Sequence, residues 1–334
     1  MDAKITKSRL ANLLSYDWLK IIAAILAVVF LLLVFFTTIK TRARDEQIYT
    51  VYIYSTTESV SGGDPDMTLL SGDGANEFAR AGMEKGIFSY DVLNAELENF
   101  GTGAYSETIF QSRRMAMQGT VMFVSDYLTP GKEAEEGETL TTTLDQLLEN
   151  VEDPDRCFVL ETEQYLKDCE AYLVRFFGEN WREGTLDREE ARACFMARNE
   201  KDNRYHLASQ KEQGVKDEEA RLEKLREDFI FVLDNCFATG VYTHTEVTLG
   251  GEGKEVTGSY AVNVGGLPSL RKFVYHNVKR TNEAGQEEYV QSGEDICLVL
   301  FNNDNDEGKG GDAANDLRFE TISFLRYLFE EYGA

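Results

Sequence analysis

The run Asn302, Asn303, Asp304, Asn305, Asp306, Glu307, Gly308 sets amides and carboxylates at alternate positions, a spacing that can wrap a hard cation. With Gly308 at the sixth position of a calcium loop, Asn303, Asn305 and Glu307 fill ligand slots. Ala314 then stands where a bidentate glutamate must close the site. The run reads as a solvated turn between a strand and a helix. Gly101, Thr102, Gly103, Ala104, Tyr105, Ser106 supplies two glycines of a dinucleotide fingerprint, with Ser106 in place of the third and Asp126 at about the distance of its acid. Glycines at strand-to-helix turns are generic, so no nicotinamide cofactor is expected. His206, His244 and His276 share no spacing with one another or with cysteine that would mark zinc. No nucleophile elbow, zinc-protease helix or phosphate loop occurs, and the many glutamates single out no carboxylate pair. The expectation is a non-catalytic chain with no metal and no cofactor.

Composition narrows the partners. Of 334 residues, 59 are acidic and 34 basic, and beyond residue 44 the chain carries 57 acidic and 27 basic side chains, a net charge of −30. Such a field repels phosphate backbones, so nucleic acid is excluded as a partner. Only four prolines, together with apolar runs throughout, argue for a globular body. Cys157, Cys169, Cys194, Cys236 and Cys297 are odd in number and form no C-x-x-C pair, so they define no disulfide framework.

The elements that must position any site begin with an uncharged run, residues 21–39, between basic flanks. As a helix it spans roughly 28 Å, near the thickness of a hydrocarbon core. Tyr16 and Trp18 stand where an interfacial belt would lie. Lys4, Lys7, Arg9 and Lys20 outnumber Lys40, Arg42 and Arg44, which predicts an N-terminus inside and a body outside the cell membrane. The predicted division is a cytoplasmic tail over 1–20, a transmembrane helix over 21–39 and a linker over 40–46.

Beyond the linker, residues 47–54 read as a buried strand, 75–85 as a helix, 93–100 as a strand, 106–117 as a helix and 120–124 as a strand. That alternation predicts a parallel sheet in a first, α/β lobe, 47–130. Residues 131–240 are predicted to form a mainly helical lobe by period, with Asp187 as a helix cap. The return segment, 241–334, reads as a hairpin over 243–249 and 255–264, a turn or short helix over 268–276 with polar connection after it, a strand over 295–301 and a closing helix over 315–332.

This order, with IYTVYIY at 48–54, NAELENFG at 94–101, SRRMAMQGT at 112–120, VMFVSDY at 121–127 and a weaker echo in YAVNVGGL at 260–267, resembles bacterial extracellular solute-binding proteins. The chain departs from the family in lacking a lipoprotein cysteine after its apolar run and in its charged helical middle. The resemblance implies a periplasmic-binding-protein-like, two-lobed α/β body with a helical middle region behind a single N-terminal transmembrane helix. Ligands in such folds bind where loops leave the carboxyl ends of parallel strands. The candidate ligand-binding residues are therefore Ser55 and Thr56, Thr102 and Tyr105, and Ser125, Asp126 and Tyr127. Tyr105 and Tyr127 could stack a sugar or peptide, and Asp126 could accept hydrogen bonds. The expected function is a membrane-tethered extracytoplasmic solute-binding or solute-sensing module. The alternative is an assembly subunit of a cell-envelope complex, docking a protein through residues 160–240.

Overall fold

The computed structural model describes residues 18–39, 47–54, 57–59, 86–89, 91–100, 105–116, 118–128, 141–149, 158–200, 202–250, 255–282, 285–302 and 318–334. The candidates Ser55, Thr56 and Thr102, the expected helix over 75–85 and the acidic run over 303–312 lie outside these residues.

The first strand, β1 (Ile48–Tyr54), is the sequence IYTVYIY, β-branched and aromatic at nearly every position and buried on both faces. It pairs in parallel with β3 (Asn94–Phe100) on one side and β4 (Val121–Ser125) on the other. Antiparallel strands extend the sheet beyond β4: β9 (Ile296–Leu300), β6 (Val256–Asn263) and β5 (Thr243–Leu249). The order β3-β1-β4-β9-β6-β5 makes a mixed six-stranded sheet. A second, antiparallel sheet orders β2 (Thr57–Ser59), β7 (Val274–Thr281) and β8 (Glu287–Ser292) as β2-β7-β8.

Alternation along the strands sends Val51, Ile53, Phe123 and Leu298 to one face of the large sheet and Tyr52, Met122, Val124 and Val299 to the other. The first face is covered by α4 (Thr162–Phe177), α6 (Ala208–Phe231) and α7 (Glu320–Tyr332), which contribute Leu173, Phe176, Leu222, Phe229, Phe324 and Leu328 to one cluster. The second face is covered by α2 (Ser106–Met115) and α3 (Thr143–Glu149) through Phe110, Leu144 and Leu148. A π-helical turn, Val232–Phe237, continues α6. Helix α5 (Arg188–Arg198) starts at Asp187, whose carboxylate accepts from the Glu189 and Glu190 amides.

Two expectations of the fold class are corrected here. The helical middle segment is no separate lobe: α4 and α6 share their core with β1, β4 and β9, because the apolar sheet face needs that cover. Residues Ala43–Ala334 make one compact unit.

The second correction concerns the predicted transmembrane helix. Helix α1 (Trp18–Ile39) forms over the apolar run and belongs to a second unit, Met1–Arg42. Its uninterrupted stretch of described side chains, residues 22–34, is apolar and exposed. Among the described residues no helix is long and apolar enough to cross a membrane.

Buried charge binds the helical layer together. Glu218 on α6 pairs with Arg198 of α5 at 2.6 Å and with Arg221 at 2.8 Å. Arg198 also reaches Asp91 at 2.9 Å, and Arg221 faces Glu320 of α7 at 3.7 Å. Each of these five side chains is at most 4% exposed. The Arg221 guanidinium also donates to the Tyr172 hydroxyl.

Candidate functional site

Ser125 closes β4, one of the two central strands of the sheet, and the chain leaves the strand through Asp126 and Tyr127. Of the seven expected ligand-binding residues, these three are brought together. Tyr105, 77% exposed just before α2, is not part of their cluster.

The floor of the cluster is buried. Ser125 Oγ lies 2.6 Å from Nδ1 of His276, and the two side chains are 3% and 2% exposed. Ser125 Oγ also accepts the Tyr127 amide at 3.2 Å. The Tyr127 ring stands edge-on to the imidazole, with centroids 5.3 Å apart. His276 reaches this place because β7 pairs with β2, setting His276 opposite Thr57, and with β8, setting it opposite Ser292.

The rim is acidic. Asp126 donates its amide to the Asp295 carbonyl at 2.8 Å. Asp295 holds a left-handed backbone, φ 52, at the turn into β9; this is the one such non-glycine among the described residues. Asp145 belongs to a capping box in which the Thr142 amide donates to its carboxylate at 3.0 Å and its own amide donates to Thr142 Oγ1 at 3.0 Å. Burial raises the Asp126 carboxyl above its usual range; a hydrogen bond with Thr142 opposes this, and the charges of Asp145 and Asp295 add to it.

Burial likewise lowers the His276 imidazole, against the opposing charge of Asp295 and the main chain and charge of Glu294. The ring is therefore held neutral near pH 7. Its Nε2 is buried and forms no hydrogen bond within strict geometry among the described residues, while the Glu294 main chain lies near enough to favour the ring's charged form.

A serine beside a histidine invites comparison with a hydrolytic nucleophile. Ser125 does not fit that role: its oxygen is nearly inaccessible and already holds the Tyr127 amide, a donor that an oxyanion would otherwise use. The other histidines form no companion site. His244 Nδ1 sits 2.7 Å from Thr162 Oγ1 beneath the Phe237 ring, and His206 is exposed. Among the described residues no three His, Cys, Asp or Glu side chains converge to hold a metal ion.

Sequence reasoning reached Ser125, Asp126 and Tyr127 from the strand-end rule. It missed His276, Thr142, Asp145 and Asp295, which come from distant segments. The signal that could have found His276 was the alternation of Val274, His276 and Val278, which places the histidine on the inward face of a strand. No family profile, no characterised protein and no solved structure matches this chain.

Proposed function

We propose that the body, residues 43–334, is a non-catalytic module that binds or senses a small solute at the carboxyl end of β4. The observation that carries this reading is the unpartnered Nε2 of the buried His276 beneath a half-exposed rim of Asp126, Tyr127 and Asp145. A buried polar atom without a partner costs stability, and a bound solute would relieve that cost. The strand-end position, shared with the solute-binding proteins the sequence resembles, supports the same reading. The test is a thermal-shift screen of the full chain in detergent against sugars, amino acids, amines and short peptides. A binding solute at 100 times its dissociation constant stabilises by about 2.7 kcal/mol, several degrees in melting temperature. Asp126→Ala is expected to abolish the shift, and a broad screen with no shift would count against the module.

Location belongs to the same proposal. The exposed apolar side chains of α1 require cover by lipid, detergent or another apolar surface. Full-length protein is expected to float with phosphatidylcholine vesicles, and a chain lacking residues 1–42 to stay at the bottom of the gradient. Equal flotation of the two would remove α1 from this role.

A second reading, an assembly subunit that docks a protein partner, draws on one surface feature. Tyr105, Ile109 and Met115 of the α2 region are exposed, beside a shallow hollow lined by Thr108, Ser112 and Ala116. A partner that co-purifies with the wild type and is lost with Ile109→Asp would favour it.

A further inference from the structure

We infer that α2 is a self-association surface: two copies of this chain pair their exposed α2 stripes antiparallel about a two-fold axis and form a reversible dimer. The inference goes beyond the solute reading and does not depend on it. It names a second copy as the occupant of the surface on which the assembly reading draws.

The stripe is the first observation. Tyr105, Thr108, Ile109, Ser112, Met115 and Ala116 are exposed along α2 and at its two caps, Met115 by 86%. At 100° per residue all six fall within about 120°, one continuous side of the helix. Phe110 lies on the other side and is buried in the core. The outward side of a surface helix ordinarily carries charge, and this one carries none.

Charge selects the occupant. Beyond residue 44 the chain has a net charge of −30, so two copies can meet closely only where local charge is absent. The neighbouring bases are turned to the body: Arg113 pairs with Glu98 at 2.9 Å, and the Arg114 guanidinium lies 4.5 Å from the centroid of the Phe158 ring. An anionic lipid surface would need such bases at the rim, directed at its phosphates. An uncharged stripe is matched by another uncharged stripe, and each copy carries one.

Shape points the same way. Tyr105 and Ile109 form one i, i+4 ridge, and Thr108, Ser112 and Ala116 form the next. With the axis midway between Ile109 and Ser112, Tyr105 of each copy stands level with Ala116 of the other and Ile109 with Ser112, large against small both ways. A hollow of about 360 Å³, lined in part by Ser112, Ala116 and Gln118, lies where that Tyr105 ring arrives. The ten residues of α2 span about 15 Å, so the contact falls at the low end of specific interfaces and the dimer dissociates readily.

The experiment is sedimentation velocity of the full chain in neutral detergent across micromolar concentrations. A concentration-dependent monomer–dimer equilibrium is expected, with Ile109→Asp and Ala116→Arg each raising the dissociation constant about tenfold or more. Both positions are exposed, so both variants are expected to melt with the wild type; where one does not, the other carries the comparison. Photo-crosslinking locates the contact. With p-benzoylphenylalanine in place of Tyr105 and a mixture of ¹⁴N- and ¹⁵N-labelled chains, crosslinks are expected between two chains and within residues 112–118. A chain that stays monomeric throughout overturns the inference, while the assembly reading keeps its co-purification test and the solute reading its thermal-shift screen. A dimer that neither variant weakens, or interchain crosslinks that land outside α2 and the residues lining its hollow, also overturns it, because α1 or another face then holds the copies together.

Discussion

Glu218→Ala is expected to destabilise the body by about 3–5 kcal/mol, read as a lowered urea midpoint with an unchanged slope. The carboxylate is fully buried and holds two guanidiniums, Arg198 and Arg221, that are themselves buried. Removing it strands positive charge in a region of low dielectric, where Asp91 and Glu320 offset only part of the loss. The pH dependence follows from the same contacts. Burial alone would raise the Glu218 carboxyl, but the charges of Arg221 and Arg198 outweigh it and hold the group well below the usual carboxylate range. Its contribution is complete above the unfolded value of about 4.3 and is lost as pH falls towards the depressed native value. Stability of the wild type should therefore decline more steeply on acidification below about pH 4.3 than that of Glu218→Ala.

Gly119→Ala is expected to be nearly as damaging, about 2–5 kcal/mol from strain and overpacking combined. Gly119 holds φ +108, which L residues rarely adopt, two residues before β4 begins at Val121. A Cβ there would stand 2.2 Å from Cε2 of Tyr52. Tyr52 cannot yield, being 1% exposed and packed by Phe100 at 4.8 Å and Phe301 at 5.7 Å between centroids. Because β4 delivers Ser125, Asp126 and Tyr127, whatever fraction of the variant folds should also bind solute more weakly. Equal chemical denaturation of the variant and wild type would show that this corner is loosely packed.

The large sheet was legible because its central strands are buried on both faces. IYTVYIY in β1, VMFVS in β4 and ICLVL in β9 leave few polar positions to confuse the pattern. The small sheet was not. In β7 only Val274, Tyr275, His276 and Val278 are buried, and Lys279, Arg280 and Thr281 give its end the look of a connection. In β8, Glu287, Glu288 and Tyr289 are all exposed, so the apolar alternation of a half-buried strand is absent. The residues 268–276, read as a turn or short helix, hold one short 3₁₀ turn, Leu270–Lys272, before β7 begins at Val274.

The same distinction explains the candidate site. A strand-end rule acts within one segment and could find Ser125 to Tyr127. His276, 151 residues away from Ser125, enters only through the β2-β7 pairing. The charged start of α6 misled for a related reason. Glu218, Arg221, Leu222 and Leu225 share one helical face, and that face is buried. Charge in a sequence is ordinarily read as solvent exposure, and here paired charge forms part of the interior. Two lobes were expected because the helical segment looked self-contained. Its apolar stripe instead covers the sheet.

The central claim is that a solute binds at the end of β4 against His276, and the chain has only three histidines to distinguish. With ¹³C-labelled histidine in the full chain, the imidazole resonances of His206, His244 and His276 can be assigned by single substitutions and followed during titration with a solute that raises the melting temperature in the thermal-shift screen. The account predicts a saturable shift of the His276 resonance, with His206 and His244 unmoved and the shift lost in Asp126→Asn. A His276 resonance that stays in place while calorimetry reports that solute bound would contradict it.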